Sequence, residues 1–256
     1  MSKYILRSWL GLVYAFLYVP ILVVIIYSFN NAKYSTAWKG FTWKWYELCL
    51  ANTSLIDSAV NSLSVGAVSA TLATILGTLA AIVLQRHAFK GKRLLYGGIY
   101  VLTVSPDIVM GISLLIFFIS IKLPLGFISL VTAHITLALP FVILTVLARF
   151  AKFDNSLIEA AKDLGASEYQ AFRHIILPLI MPSVAAGWLL AFTLSVDDVL
   201  ISFFVAGPGY EILPLKIYSM VRLGVKPDIN ALSAIMFTAT VVIILLAQLL
   251  NKARKV

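Results

Sequence analysis

The sequence predicts an all-α membrane protein with six transmembrane helices and both termini in the cytoplasm. Two observations carry that prediction. Of 256 residues, 61% are hydrophobic and only 12% are charged, against about 25% charged in an average soluble domain. Six stretches are also long and apolar enough for a bilayer, which takes about 20 such residues. That much apolar surface exceeds what one soluble core of this length can hide, so disordered tails, secreted disulfide scaffolds and ordinary cytosolic enzymes are excluded. Alternating ten-residue segments typical of an outer-membrane barrel are absent. Cys49 is the single cysteine, so no intrachain disulfide can form.

In chain order the spans are Trp9–Phe29, Ser62–Leu84, Tyr96–Ile121, Gly126–Ala148, Pro182–Ala206 and Ala231–Leu250, each of 20 to 26 residues. The first reads as an uncleaved helix: it is too long for a signal-peptide core and no small-x-small site follows it. Sorting the basic residues by loop sets the orientation. The side holding both termini carries thirteen Lys and Arg, among them Arg86, Lys90, Lys92, Arg93, Arg149, Lys152, Lys162 and Arg173, and the other carries seven. The excess belongs on the cytoplasmic side. It accounts for much of the net charge of +9 without nucleic acid. No soluble domain fits between the spans, so residues 1–256 read as one transmembrane domain.

No phosphate-binding loop is present; Gly91-Lys92-Arg93 is a basic turn with Arg86 where the first glycine should stand. His87, His134 and His174 have no metal-ligand spacing. His134 falls within the fourth span, where a hydrogen bond to a neighbouring helix is its expected role. Uphill transport by this chain therefore needs a gradient or a separate energy-supplying subunit.

The segment after the fourth span, 151–178, carries two capping boxes, Ser156 with Glu159 and Ser167 with Gln170, on either side of Gly165. They predict a short helix, a glycine stop and a second helix running toward Pro178. The first is amphipathic through Leu157, Ala160, Ala161 and Leu164. Such a knob can dock on another protein or pack on its own helices. Glu159-Ala160-Ala161, then Gly165, then Ile175-x-Leu177-Pro178 resembles the EAA loop of ABC-importer permeases, the inner-membrane components of binding-protein-dependent transport. The resemblance implies that Glu159, Ala160, Ala161 and Gly165 form a coupling helix seated on a cytoplasmic ATPase. It also implies the type I importer (MetI-like) fold and a second, homologous permease.

Three acids lie inside the predicted spans, Asp107, Asp197 and Asp198, with no Lys or Arg in any span to pair with them. Ionisable groups there are costly and mark transport paths, proton relays or interhelical hydrogen bonds, and all three readings stay open. On straight helices Asp107 would sit roughly 16 Å above the cytoplasmic boundary and the Asp197–Asp198 pair roughly 23 Å, in two layers suited to a ligand with more than one cationic centre. Gly187, Ala191, Ser195, Asp198 and Ser202 form one small, polar stripe, expected to wall a path, with Asp197 about 100° round. Tyr100, Thr103, Asp107 and Gly111 are expected to share a face, and Ser105-Pro106 can open that helix. Ser64, Ala67, Thr71, Thr74 and Thr78 suggest a packing face. In the loop Trp38–Tyr46 an interfacial aromatic belt is expected, with Trp45 as a candidate cation–π lip.

Ser105–Met110, Phe192–Val199 and Gly207–Val221, taken with the loop, are similar to permease subunits of spermidine/putrescine importers. That resemblance implies a polyamine substrate, a homodimeric ATPase using ATP and Mg, and a periplasmic binding protein docked partly by 207–228. It also implies a bacterial inner membrane location. No cofactor bound by this chain and no catalytic residue is expected. The alternatives are an ABC permease for another substrate and a proton-coupled carrier using Asp107 and Asp198.

Overall fold

The computed structural model describes residues 3–32, 37–150, 156–222, 224, 227–238 and 241. Their regular structure is helical, apart from one isolated bridge between Asn30 and Phe41. The helices are α1 (Lys3–Tyr27), α2 (Lys44–Ala51), α3 (Thr53–Arg86), α4 (Lys92–Val104), α5 (Asp107–Ser120), α6 (Phe127–Phe150), α7 (Ser156–Asp163), α8 (Glu168–Ala171), α9 (Leu177–Asp197), α10 (Leu200–Val205) and α11 (Leu213–Arg222). A π-turn over Phe172–Ile176 joins α8 to α9, and 227–238 is helical again. Two compact units result: Met1–Asp57 with Lys216–Val256, and Ser58–Leu215.

Four helical stretches among the described residues are long and apolar enough to cross a membrane: Arg7–Tyr27, Thr53–Arg86, Phe127–Phe150 and Glu168–Asp197. The predicted third span is not one rod. It breaks into α4 and α5, bent by 112°. Ser105 and Pro106 are both extended, at ψ 133° and 134°. Proline lacks the N–H for a continuing helix and pushes its predecessor out of the α region. The expected shared face through Tyr100, Thr103, Asp107 and Gly111 is therefore lost, and so is the straight-rod height of Asp107. The fifth span also departs from expectation. It begins at Leu177, passes through Pro178 and Pro182, and breaks at Asp198-Val199 before α10. The second half of the predicted sixth span, and the basic C-terminal tail, lie outside the described residues.

Within Ser58–Leu215, α6 is the central rod. Residues from Ser129 to Phe150 are buried along it, and α3, α4 and α9 pack around its later half through Ala73, Ala81, Ile99, Val142, Val146 and Ile180. Its earlier half meets α5 and α10 through Met110, Phe118, Leu130, Ala133, Ile201 and Val205. Small residues permit this closeness, since lipid-embedded helices gain from packing rather than from water exclusion. A Cβ on Gly77 of α3 would stand 2.7 Å from Val142 Cγ1. The packing face of α3 differs from the expected one: Thr74 and Thr78 are buried, but Ser64 and Thr71 are exposed.

In the other unit, α1 exposes its residues from Trp9 to Val19. It is apolar all round, as a lipid-facing helix is. A short hairpin follows it. Asn30 Nδ2 donates to Ala37 O at 2.7 Å, and Lys39 N donates to Asn30 Oδ1 at 2.8 Å. Phe29, Phe41, Trp43 and Tyr46 stack beside it, with ring centroids 4.9–5.6 Å apart. Three of these four rings come from the Trp38–Tyr46 loop, where an interfacial belt is expected.

Candidate functional site

The membrane acids separate into two environments. Asp107 is exposed in the first turn of α5, directly after the Pro106 break. A carboxylate there is favoured by the free N–H groups of a helix start. Asp197 is exposed as the last residue of α9. Its neighbour Asp198 is 9% exposed. Asp198 is extended, at ψ 125°, so its side chain turns inward, where it caps α10. Oδ1 accepts from Ile201 N at 3.2 Å, and Oδ2 accepts from Ser202 N and Ser202 Oγ, each at 2.7 Å.

His134 of α6 completes this cluster and is fully buried. Its Nε2 is 2.9 Å from Ser202 Oγ and 3.5 Å from Asp198 Oδ2, and its Nδ1 is hydrogen-bonded to Ser195 Oγ. Ser195 reaches on to Ser69 of α3 at 3.2 Å, and Ser69 donates to Val65 O at 2.7 Å. The chain Asp198–Ser202–His134–Ser195–Ser69 ties four helices together inside this unit. The stripe Gly187, Ala191, Ser195, Asp198 and Ser202 is buried along its whole length, so it is a packing seam of this chain rather than an open wall. Asp198 does have a titratable neighbour, an imidazole that a search for Lys and Arg alone overlooks. A polar residue in mid-span was the signal for it, and the expected interhelical hydrogen bond of His134 is present twice over.

The segment after α6 has the expected two-helix form; 151–155 lie outside the described residues. Gly165 adopts φ +84°, Ala166 N donates to Ala161 O at 3.0 Å, and Gly165 N donates to Lys162 O at 2.9 Å. That pair of bonds is a Schellman stop, which suits glycine because a Cβ disfavours the left-handed region. Ser167 and Gln170 form a complete capping box: Gln170 N donates to Ser167 Oγ at 3.2 Å and Ser167 N to Gln170 Oε1 at 2.8 Å. The second helix does not stop at Pro178, because the π-turn before it absorbs the missing N–H and feeds into α9. No residue of α7 is buried; Glu159 and Ala160 are exposed, and Leu164 just beyond is 89% exposed. Glu168, missed in the sequence, joins Lys162 of α7 to Arg86 at the end of α3, the latter at 3.0 Å. Among the described residues no group of His, Cys, Asp and Glu is arranged to hold a metal.

In the Met1–Asp57 and Lys216–Val256 unit, Trp45 is half-buried. Its Nε1 donates to Asn30 O at 2.8 Å, and Lys44 Nζ stands 5.8 Å over its ring. One face of the indole thus already meets a cation from this chain. Cys49 Sγ donates to Asp228 O at 3.4 Å; burial, with the charge of Asp228 adding to it, pushes the thiol up to about 11.

Comparison with known proteins agrees with the helical arrangement. Residues 73–254 match the family described as binding-protein-dependent transport system inner membrane component. The chain is 52% identical over 240 residues to the spermidine/putrescine transport system permease protein PotC of Escherichia coli K12, covering 94% of this chain and 91% of that one. It is 48% identical over 253 residues, 98% of each chain, to the PotC of Haemophilus influenzae. It is 40% identical over 253 residues to the putrescine transport system permease protein PotI of E. coli K12, covering 94% and 89%. Among solved structures, it resembles a chain of a bacterial ABC transporter involved in import of the acidic polysaccharide alginate, with a TM-score of 0.75, 15% identity and 98% of both chains covered. A second is the MetNI methionine ABC transporter in an inward-facing form, with a TM-score of 0.64, 18% identity and 75% of this chain and 92% of that chain covered. Exposed apolar helices, an EAA-type loop with its glycine stop, and a match over most of its length place this chain among the inner-membrane permease components of binding-protein-dependent ABC transport systems.

Proposed function

We propose that this chain is one of two homologous permease subunits of an importer that carries polyamines, spermidine or putrescine, from a periplasmic binding protein into the cytoplasm. The observation that carries the substrate class is the 52% identity, along nearly the whole chain, to a permease named for spermidine and putrescine. Two exposed acids at breaks in apolar helices, Asp107 and Asp197, support it. Each can replace part of the water shell of an ammonium group, and affinity stays modest because a conduit must also release its cargo. Asp198 and Ser195 serve the same path from inside the protein, by fixing the shape of the α9–α10 break. Trp45 acts at the outer entrance.

The work comes from a separate cytoplasmic ATPase dimer, which binds ATP and Mg. This chain binds neither. Closure of that dimer pulls on α7, whose exposed apolar side and small Ala160–Ala161 surface allow close docking. The stiff Schellman turn passes the pull to α8 and α9, and the Arg86–Glu168–Lys162 bridge passes it to α3. The helices rock between outward- and inward-open states. The test is uptake of labelled spermidine by proteoliposomes holding the assembled importer and its binding protein. Uptake should need internal ATP, and excess putrescine should compete where excess methionine does not. Uptake that persists without ATP under a proton gradient overturns the reading.

A further inference from the structure

Asp197 and Asp198 are adjacent, yet one is exposed and the other is enclosed. On an unbroken helix the two would lie only about 100° apart. Their separation comes from the break at Asp198-Val199, and a single side chain holds both sides of that break. His134 Nδ1 grips Ser195 in the last turn of α9, and Nε2 grips Ser202 in the first turn of α10, the same serine that donates to Asp198. We infer that His134 is a positioning residue for the substrate path: by clamping both ends of the break to α6 it fixes the direction in which Asp197 is presented.

The reason lies in what the serines do without it. A serine inside a helix can donate to the carbonyl one turn back in its own chain. Such a bond involves no neighbouring helix. With the imidazole gone, Ser195 satisfies itself that way, Ser202 keeps its bond to Asp198, and nothing polar then ties the end of α9 to α6. The final turn of α9 is then held by a polar contact to Ser69 of α3 alone, and Asp197, two residues beyond Ser195, is less firmly aimed. The Asp198 cap on Ile201 N and Ser202 N survives, so the loss is one of aim more than of helix.

This inference rests on the transport reading for its consequence but not for its geometry, and the experiment separates them. The assembled importer carries Asp197→Cys in a Cys49→Ser background, with position 134 as His, Ala, Gln or Asn. The first readout is the labelling rate of the introduced thiol by a cationic methanethiosulfonate. His134→Ala should change that rate about five-fold or more. Gln, whose amide reproduces the Nε2 position, should stay nearer to histidine than Asn, which reproduces Nδ1. The second readout, with Asp197 restored, is spermidine uptake per assembled complex. His134→Ala should raise KM by on the order of ten-fold, more than it lowers Vmax. A merely structural histidine would lower the yield of complex and leave KM and labelling unmoved, and that result overturns the inference. If the alanine variant does not assemble, the Gln and Asn pair decides, and equal labelling rates for His, Gln and Asn overturn it. If the wild-type complex imports no polyamine, the transport reading falls, and the labelling arm still decides the positioning role.

Discussion

A charge inside a membrane needs a reason, and the three acids here have two. Asp198 has four polar groups around it, whereas Asp107 and Asp197 are open. Asp197→Asn and Asp107→Asn should therefore each raise the KM for polyamine uptake by about ten-fold, measured as a KM against Vmax split in proteoliposomes. Asp198→Asn should instead lower the thermal stability of the complex, because it weakens the cap on α10. Cys49 gives a test of a different kind. With its thiol pushed up to about 11, the reactive thiolate is scarce at neutral pH. Maleimide labelling of the native protein at pH 7 should be slow. It should accelerate as pH rises toward 11, and should become fast at pH 7 once denaturant removes the burial.

Elements in this chain are defined by their ends. Gly165 ends α7 at φ +84°, where any Cβ is strained, by about 1–2 kcal/mol for an ordinary residue. Gly165→Asp adds a carboxylate at a helix C-terminus, where negative charge is disfavoured. Wild type should co-purify with an ATPase subunit in mild detergent, and this variant should lose it while its far-ultraviolet circular dichroism stays helical. Retention of the ATPase would remove α7 as the docking element. Gly207, just past α10, answers to space rather than to φ. A Cβ there would stand 2.1 Å from Leu125 O, a backbone atom with no flexible end to yield. Gly207→Ala should cost roughly 1–3 kcal/mol, read as a lowered melting temperature of the purified complex.

At the scale of the whole molecule, several surfaces of the described chain are left uncovered. α1 is exposed from Trp9 to Val19, α7 buries nothing, and two membrane acids face outward. Such surfaces suit lipid, a second permease and an ATPase. The sequence was legible wherever the signal was local. Apolar run length marked four long helices, and the capping box at Ser167 and the glycine at 165 marked the two-helix form of the segment after α6. By itself the sequence determined the membrane class, the two-helix loop and the presence of three acids in apolar runs, since each depends on neighbours within a few residues. Only the tertiary structure decided which acid is free. That depends on two helix breaks, at Ser105-Pro106 and at Asp198-Val199, and on His134, which lies 61 residues before Ser195 and 68 before Ser202. The physical reason is that a break re-aims every side chain beyond it, and a buried polar group is assigned its partners by packing, which no spacing along the chain records.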